Sequence, residues 1–173
     1  MHKLLFLTVC TLVLMSPAVR ADDDSKVWIH GGYAYLNEQQ LGLDMHGWSG
    51  GVTYWVNDFI GVGGDFSGSY GSDVQYYNIL FGVTLASRRN EKYIPFTHFL
   101  LGVGQAQQDW LLGGQELGTS TAEFAFALGG GVDLRLNDRI ALRLFQTDYI
   151  RQTGDLDSNQ FRLTTGIVFR LGD

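Results

Sequence analysis

Read alternately, residues 161–171 separate into two faces. Phe161, Leu163, Thr165, Ile167, Phe169 and Leu171 make one; Arg162, Thr164, Gly166, Val168 and Arg170 make the other. A period of two is the signature of a β-strand. The same alternation recurs at 27–36, 47–56, 59–70, 75–85, 94–105, 122–134 and 140–150, giving eight segments. In 47–56, Trp48, Val52, Tyr54 and Val56 oppose Ser49, Gly51 and Thr53. In 59–70, Ile60, Val62, Phe66 and Tyr70 oppose Asp65, Ser67, Ser69 and two glycines. Segment 94–105 is the least regular, because both of its faces are partly apolar. In 140–150, Ile140, Leu142 and Leu144 oppose Ala141 and Arg143, but Gln146 and Asp148 then fall on the apolar side. One inserted residue, a β-bulge near 144–146, would restore the phase.

The connections alternate in length. Short ones follow the second, fourth and sixth segments; longer ones fall at 37–46, 71–74, 107–121 and 152–160, with 107–121 the longest. An up-and-down barrel with all its tight turns at one end produces this rhythm. A soluble barrel would be apolar inside and dotted with charge outside. Here the apolar faces carry essentially no charge, and Trp48, Tyr54, Tyr70, Tyr77, Phe161 and Phe169 sit near their ends. The opposite faces are small and polar with a few charges. That arrangement predicts an apolar belt facing lipid and a polar lumen. Closure into a barrel pairs every backbone group without water. An arginine on the lipid side would cost about 2–4 kcal/mol at mid-depth, so Arg162 and Arg170 are expected to face inward. The predicted fold is all-β, an eight-stranded antiparallel up-and-down transmembrane β-barrel.

The start of the chain changes the boundaries. Met1 to Lys3 is basic, 4–15 is an apolar run, and Ser16-Pro17-Ala18-Val19-Arg20-Ala21 offers small residues before a cut. This is the pattern of a secretory signal peptide, expected to be removed after Ala21. The run is too short for a spanning helix, which needs about 20 apolar residues. The barrel domain is then 22–173. Cys10 leaves with the leader, so disulfides and cysteine metal sites are not expected. Removing Lys3 and Arg20 leaves ten of the 12 basic residues against 18 acidic ones, which argues against nucleic acid as a partner. The 23 glycines and the 13% of aromatic residues suit many strands joined by turns.

Several stretches carry a family resemblance. They are Gly47-Trp48 with Val56-Asn57, Asp65-Phe66-Ser67-Gly68, Pro95-Phe96-Thr97-His98, Gly129-Gly130-Gly131-Val132-Asp133, Arg143 with Gln146, Asp148 and Tyr149, and the terminal strand 163–171. On these the chain resembles the small eight-stranded outer-membrane β-barrel proteins of the OmpA/OmpX-like class, and among them the barrel-domain proteins found in Acidobacteria. The resemblance spans the whole of 22–173. It implies residence in the outer membrane of a Gram-negative bacterium, with contacts to outer-membrane lipid and lipopolysaccharide. It also implies delivery by periplasmic chaperones and the barrel-assembly machinery, and a monomeric state. One departure stands out: insertion signals of such barrels end on an aromatic residue, whereas Phe169 here is followed by Arg170-Leu171-Gly172-Asp173.

Candidate chemistry concentrates on the inward faces. His30, Asp65, His98, Glu123, Asp133, Arg143, Arg162 and Arg170 share them, joined by Asp148 if the bulge exists. Eight strands enclose a lumen just wide enough to be filled by side chains. Two outcomes follow, a packed ion-pair network that plugs the lumen or a narrow polar path. Buried charges need partners in either case. The expected role is structural or interactive, in envelope integrity or adhesion through the outward loops. A small-solute, porin-like channel and, further off, a lipid A-modifying enzyme are the alternatives. For catalysis the only candidate grouping is His46 with Ser49 and Asp44, and the His-x-Ser pair of a lipid A deacylase is absent from the sequence. His30, His46 and His98 lack metal-ligand spacing, and no cofactor is expected. The outward connections carry Glu38, Asp44, Asp73, Asp109, Glu116, Asp155 and Asp157, an acidic rim that could attract divalent cations or simply keep the loops soluble. Trp110, Leu111 and Leu112 would sit on the third loop as a contact point for a partner or membrane, or pack over the barrel mouth.

Overall fold

The computed structural model describes residues 25–39, 42–71, 74–87, 92–112, 115–154 and 158–171, with backbone alone at 108–112 and 115–121. The proposed leader, 1–21, lies outside the described residues. Eight strands follow in chain order: β1 (Val27–Glu38), β2 (Leu43–Trp55), β3 (Ile60–Tyr70), β4 (Val74–Ala86), β5 (Tyr93–Leu112), β6 (Gln115–Arg135), β7 (Ile140–Thr153) and β8 (Ser158–Leu171). Each pairs antiparallel with the next, and β1 pairs with β8, so the sheet closes.

The turns between β2 and β3 and between β6 and β7 use one device. Asn57 Oδ1 accepts hydrogen bonds from the backbone N–H groups of Phe59 (2.9 Å) and Ile60 (2.8 Å). Asn137 Oδ1 accepts from Arg139 (2.9 Å) and Ile140 (2.8 Å). An asparagine side chain standing in for backbone is a favoured way to reverse a strand. These turns and the chain ends share one end of the barrel, here the inner end.

The alternation read from sequence is the alternation in space. Val62, Ile79, Phe81, Phe99, Leu101, Leu128, Leu163 and Ile167 are exposed on the outside, and their strand neighbours are buried inside. A ring of outward aromatics bounds the belt toward the outer end: Tyr33, Trp48, Tyr70 and Tyr149. Trp48 Nε1 donates to the Tyr70 hydroxyl (3.2 Å), so the ring is tied laterally.

The break of phase in β7 is a bulge. Val132 pairs with Phe145 and Asp133 with Arg143, leaving Leu144 as the extra residue. The register with β8 shifts at the same place, between Arg143 and Gln146. Leu144 and Phe145 both face outward, so Gln146, Asp148, Ile150 and Gln152 all turn inward.

Two expectations fail at the outer end. Residues 107–121 are not a loop: β5 and β6 continue as a paired ribbon to Leu112 and Gln115. Asp109–Leu112 have no backbone pairing with β4 and 115–123 none with β7, so the ribbon is joined only strand to strand. Second, Glu38 is not a rim residue; it ends β1 on the inner face and is 1% exposed.

Candidate functional site in the barrel interior

The inward side chains sort by height. At the inner end Trp28, Trp55, Ala86, Ile94, Ala141 and Val168 form an apolar cluster. Trp28 and Trp55 meet edge to face with centroids 5.1 Å apart, and the Arg170 guanidinium lies 5.2 Å from the Trp28 ring. Toward the outer end Leu36, Met45, Val74, Tyr76 and Ala106 form another cluster. Between them lies a connected set of charges.

Arg162 is its centre and is fully buried. Its Nη1 donates to Asp65 Oδ1 across the barrel (2.7 Å), and its Nε donates to Asp148 Oδ2 (2.8 Å). A second ion-pair contact, Nη2 to Asp148 Oδ2, is 2.7 Å. Arg143 forms a fork on Asp133, Nε to Oδ1 at 2.9 Å and Nη2 to Oδ2 at 3.1 Å. Gln146 joins the two pairs: Arg143 Nη1 donates to its Oε1 (2.5 Å) and its Nε2 donates to Asp148 Oδ2 (2.8 Å). His98 Nε2 contacts Asp148 Oδ1 at 2.7 Å. On the far wall His30 Nε2 and Ser49 Oγ each reach Asp65 Oδ2 at 3.4 Å. The set draws on β1, β2, β3, β5, β6, β7 and β8. Charge-assisted, bidentate contacts of this kind are the strong ones, and each carboxylate here needs them because it is buried.

Glycines make the room. A Cβ at Gly129 would lie 2.0 Å from Asp148 Oδ1 and 2.9 Å from His98 Nε2, so only hydrogen fits beside that contact. A Cβ at Gly51 would lie 2.6 Å from the His30 ring. Gly129 therefore clears space for a side-chain pair, while Gly130 and Gly131 lie against the backbone of Phe96 and Phe145 on the neighbouring strands. Next to the network a cavity of about 30 Å³, lined by His30, Asp65, His98, Asp133, Arg143 and Gln146 among others, has space for about one water.

Of the nine inward residues expected from sequence, the structure brings seven together: His30, Asp65, His98, Asp133, Arg143, Asp148 and Arg162. Arg170 lies apart at the inner end. Glu123 lies apart toward the outer end, against Gly154. Gln146 was missed as a member, since the parity of the uncorrected strand put it outside. Ser49 was also missed, although its place on the polar face of β2 was readable. A further polar link, Gln152 Nε2 donating to Asn78 Oδ1 (3.0 Å), ties β7 to β4.

The candidate catalytic grouping is not assembled. Ser49 is inside, bonded to Asp65, whereas His46 and Asp44 are exposed on the outside. His46 Nδ1 bonds the Tyr33 hydroxyl. Asp44, beyond the aromatic ring, accepts from the Tyr35 hydroxyl (2.5 Å) and Asn37 Nδ2 (2.8 Å). These two donors, the phenol first, hold the Asp44 carboxyl below the usual carboxylate range. The side chains of Trp110, Leu111 and Leu112 lie outside the described residues; their backbone belongs to the end of β5 and not to a loop. Asp73, Asp155 and Asp157 also lie outside the described residues, and Asp109 and Glu116 are described by their backbone in the ribbon.

A closed eight-stranded barrel, greasy outside and charged inside, defines a membrane-spanning β-barrel. The outer membrane protein beta-barrel domain family model matches residues 6–169, and the chain belongs to that family. It is an outer-membrane protein that crosses the bilayer with its eight strands. Among solved structures it is similar to Neisserial surface protein A, with 14% identity, 85% of this chain and 98% of that chain covered, and a TM-score of 0.69. It is similar to OprG from Pseudomonas aeruginosa (12% identity, 85% and 96% covered, TM-score 0.62). It is also similar to Ail, the attachment invasion locus protein of Yersinia pestis, in complex with the heparin analogue sucrose octasulfate (20% identity, 84% and 96% covered, TM-score 0.59). At these identities the likeness speaks to the fold. No curated protein matches the sequence significantly.

Proposed function

We propose that this protein is a closed structural element of the outer membrane that meets partners through its outer hairpins and does not conduct solutes. The observation that carries this reading is the Arg162 network, which spans the lumen from Asp65 on β3 to Asp148 on β7. Apolar clusters lie above and below it. A solute would have to break several buried, charge-assisted contacts at once, each broken partner costing several kcal/mol. The β5–β6 ribbon, whose backbone continues past its pairing with β4 and β7, is the part best placed for contact with another molecule. Among the described strands the outer end holds Glu38, Asp44, Asp109, Glu116 and Glu123 against Arg151. That balance disfavours a polyanion of the kind bound in the Ail complex. The reading carries no catalytic step. It keeps membrane lipid and lipopolysaccharide as the surroundings of the belt, chaperones and the assembly machinery as the route in, and a monomer as the working state.

Single-channel conductance in a planar bilayer tests it, with heat-modifiable gel mobility confirming that the barrel has formed. The expected result is silence. Reproducible steps whose size changes in Arg143→Ala would replace this reading with that of a narrow, charge-filtered channel.

A further inference from the structure

Two hollows open on the lipid face of the barrel and run into each other. The inner one, of about 500 Å³, lies between the ends of β4 and β5 and is lined by Phe59, Leu85, Ser87 and Pro95. The other, of about 540 Å³, lies over β6, β7 and β8 among Gly130, Phe145, Thr147, Tyr149 and Phe161. Phe96 and Thr97 line both, so the two form one furrow. Each volume falls in the range of about 300–1,000 Å³ found for pockets that hold small molecules. The register row Leu85–Thr97–Gly130–Thr147 follows the furrow. Leu85 is next to the end of β4, whereas Gly130 stands five positions inside the end of β6. The row therefore climbs from the inner end toward the middle of the belt.

Local sequence makes the furrow. Its floor has small residues where the belt around it carries Phe99, Leu101, Leu128 and Leu163. A Cβ at Gly130 would lie 2.4 Å from the Phe96 carbonyl oxygen, so that position stays bare. The Thr97 hydroxyl donates to the Gly129 carbonyl (2.8 Å) and asks nothing of the bilayer. The bulge turns Phe145 outward as one wall, and the register pair Tyr149 and Phe161 makes the other. Charge marks the lower entrance. Lys26, Lys92 and Arg139 are exposed at the inner end against Asp58 and Asp138. The connection 88–91, outside the described residues, adds Arg88 and Arg89 against Glu91 in sequence. Lys92 precedes Pro95 of the inner hollow by three positions, about 10 Å of extended strand. Basic residues at a membrane edge attract anionic headgroups, whereas the acidic outer end would repel them.

We infer that the furrow holds one acyl chain of an anionic phospholipid from the leaflet that meets the inner end, with its phosphate at Lys92. The furrow is continuous with the lipid belt, so the chain enters from the bilayer without crossing water. It lies along Leu85, Pro95 and Thr97 and ends over Gly130 between the aromatic walls. This is a fixed lipid at one place on the barrel, beyond the general contact of belt and bilayer. The inference is independent of whether the lumen conducts, and its failure would leave the closed-barrel reading standing.

The test is native mass spectrometry of the refolded protein released from nanodiscs that hold equal amounts of phosphatidylglycerol and phosphatidylcholine with the same acyl chains. The expected result is one lipid that stays bound after the others are stripped, phosphatidylglycerol at least threefold over phosphatidylcholine. Thr97→Trp and Thr147→Trp, which fill the furrow, should each lower its retention at least fivefold. Leu101→Trp, outward in the same belt but outside the furrow, should leave it unchanged. Lys92→Glu should abolish the preference for phosphatidylglycerol. Heat-modifiable mobility confirms folding of each variant, and if Thr97→Trp fails to fold, Thr147→Trp carries the test. Absence of a retained lipid, or equal retention by folded Thr147→Trp and Leu101→Trp, overturns the proposal. Equal retention of the two lipids by the wild type, or a preference that survives Lys92→Glu, overturns it as well.

Discussion

The two faces of β8 obey different rules. Outward, Phe161, Leu163, Ile167 and Phe169 meet a solvent that accepts any apolar side chain. Inward, Arg162 has two particular partners, one on the adjacent strand and one on β3, 97 residues away in sequence. The outer face is specified by class and the inner face by identity. Alternation alone can therefore find both faces, but it can assign partners on neither.

That contrast can be broken from the inside first. Arg162→Leu removes the shared cation and leaves Asp65 and Asp148 buried together. The expected loss is about 3–5 kcal/mol, read from urea unfolding of the barrel in lipid vesicles. From the outside, Leu163→Arg places a charge in the belt one residue away. Its expected cost is about 2–4 kcal/mol by the same titration, and Leu163→Ile or Leu163→Val should cost far less. Gln146→Leu keeps volume but removes the link between the Arg143 and Arg162 pairs. A loss of about 1–3 kcal/mol is expected, since a buried donor and acceptor lose their partner.

The smallest effect belongs to the exposed rim. The Asp44 carboxyl is held below its ordinary range by the Tyr35 phenol and Asn37. A lowered folded-state pKa means the contact helps above the unfolded value and is lost as pH falls through the folded one. Thermal midpoints of the wild type and Asp44→Asn should differ slightly at neutral pH and converge in strong acid. Because Asp44 is exposed, a gap as large as that of Gln146→Leu would contradict the account.

What the sequence made legible follows from the same contrast. The belt, the strand count and the short inner connections were readable because lipid and turn geometry act on residue type. The slip of phase at Gln146 and Asp148 located the bulge, since a strand with one buried face cannot tolerate a shift of register. The ribbon at 107–121 was not readable, because its sequence carries no period of two to mark it as strand. Glu38 was misplaced for a related reason: acidic residues near a strand end look like loop residues until the strand is known to continue. The pairing of Arg162 with Asp65 needed the closed barrel, which brings β3 and β8 to opposite sides of one lumen.

The central claim is that ion pairs across the lumen, and not apolar filling alone, tie the opposing walls together. A double-mutant cycle on Asp65 and Arg162, using Asp65→Asn and Arg162→Gln, measures it most directly. Unfolding free energies should show coupling of about 1–3 kcal/mol. Additivity within about 0.5 kcal/mol would mean that the two residues do not act on each other, and would contradict the account.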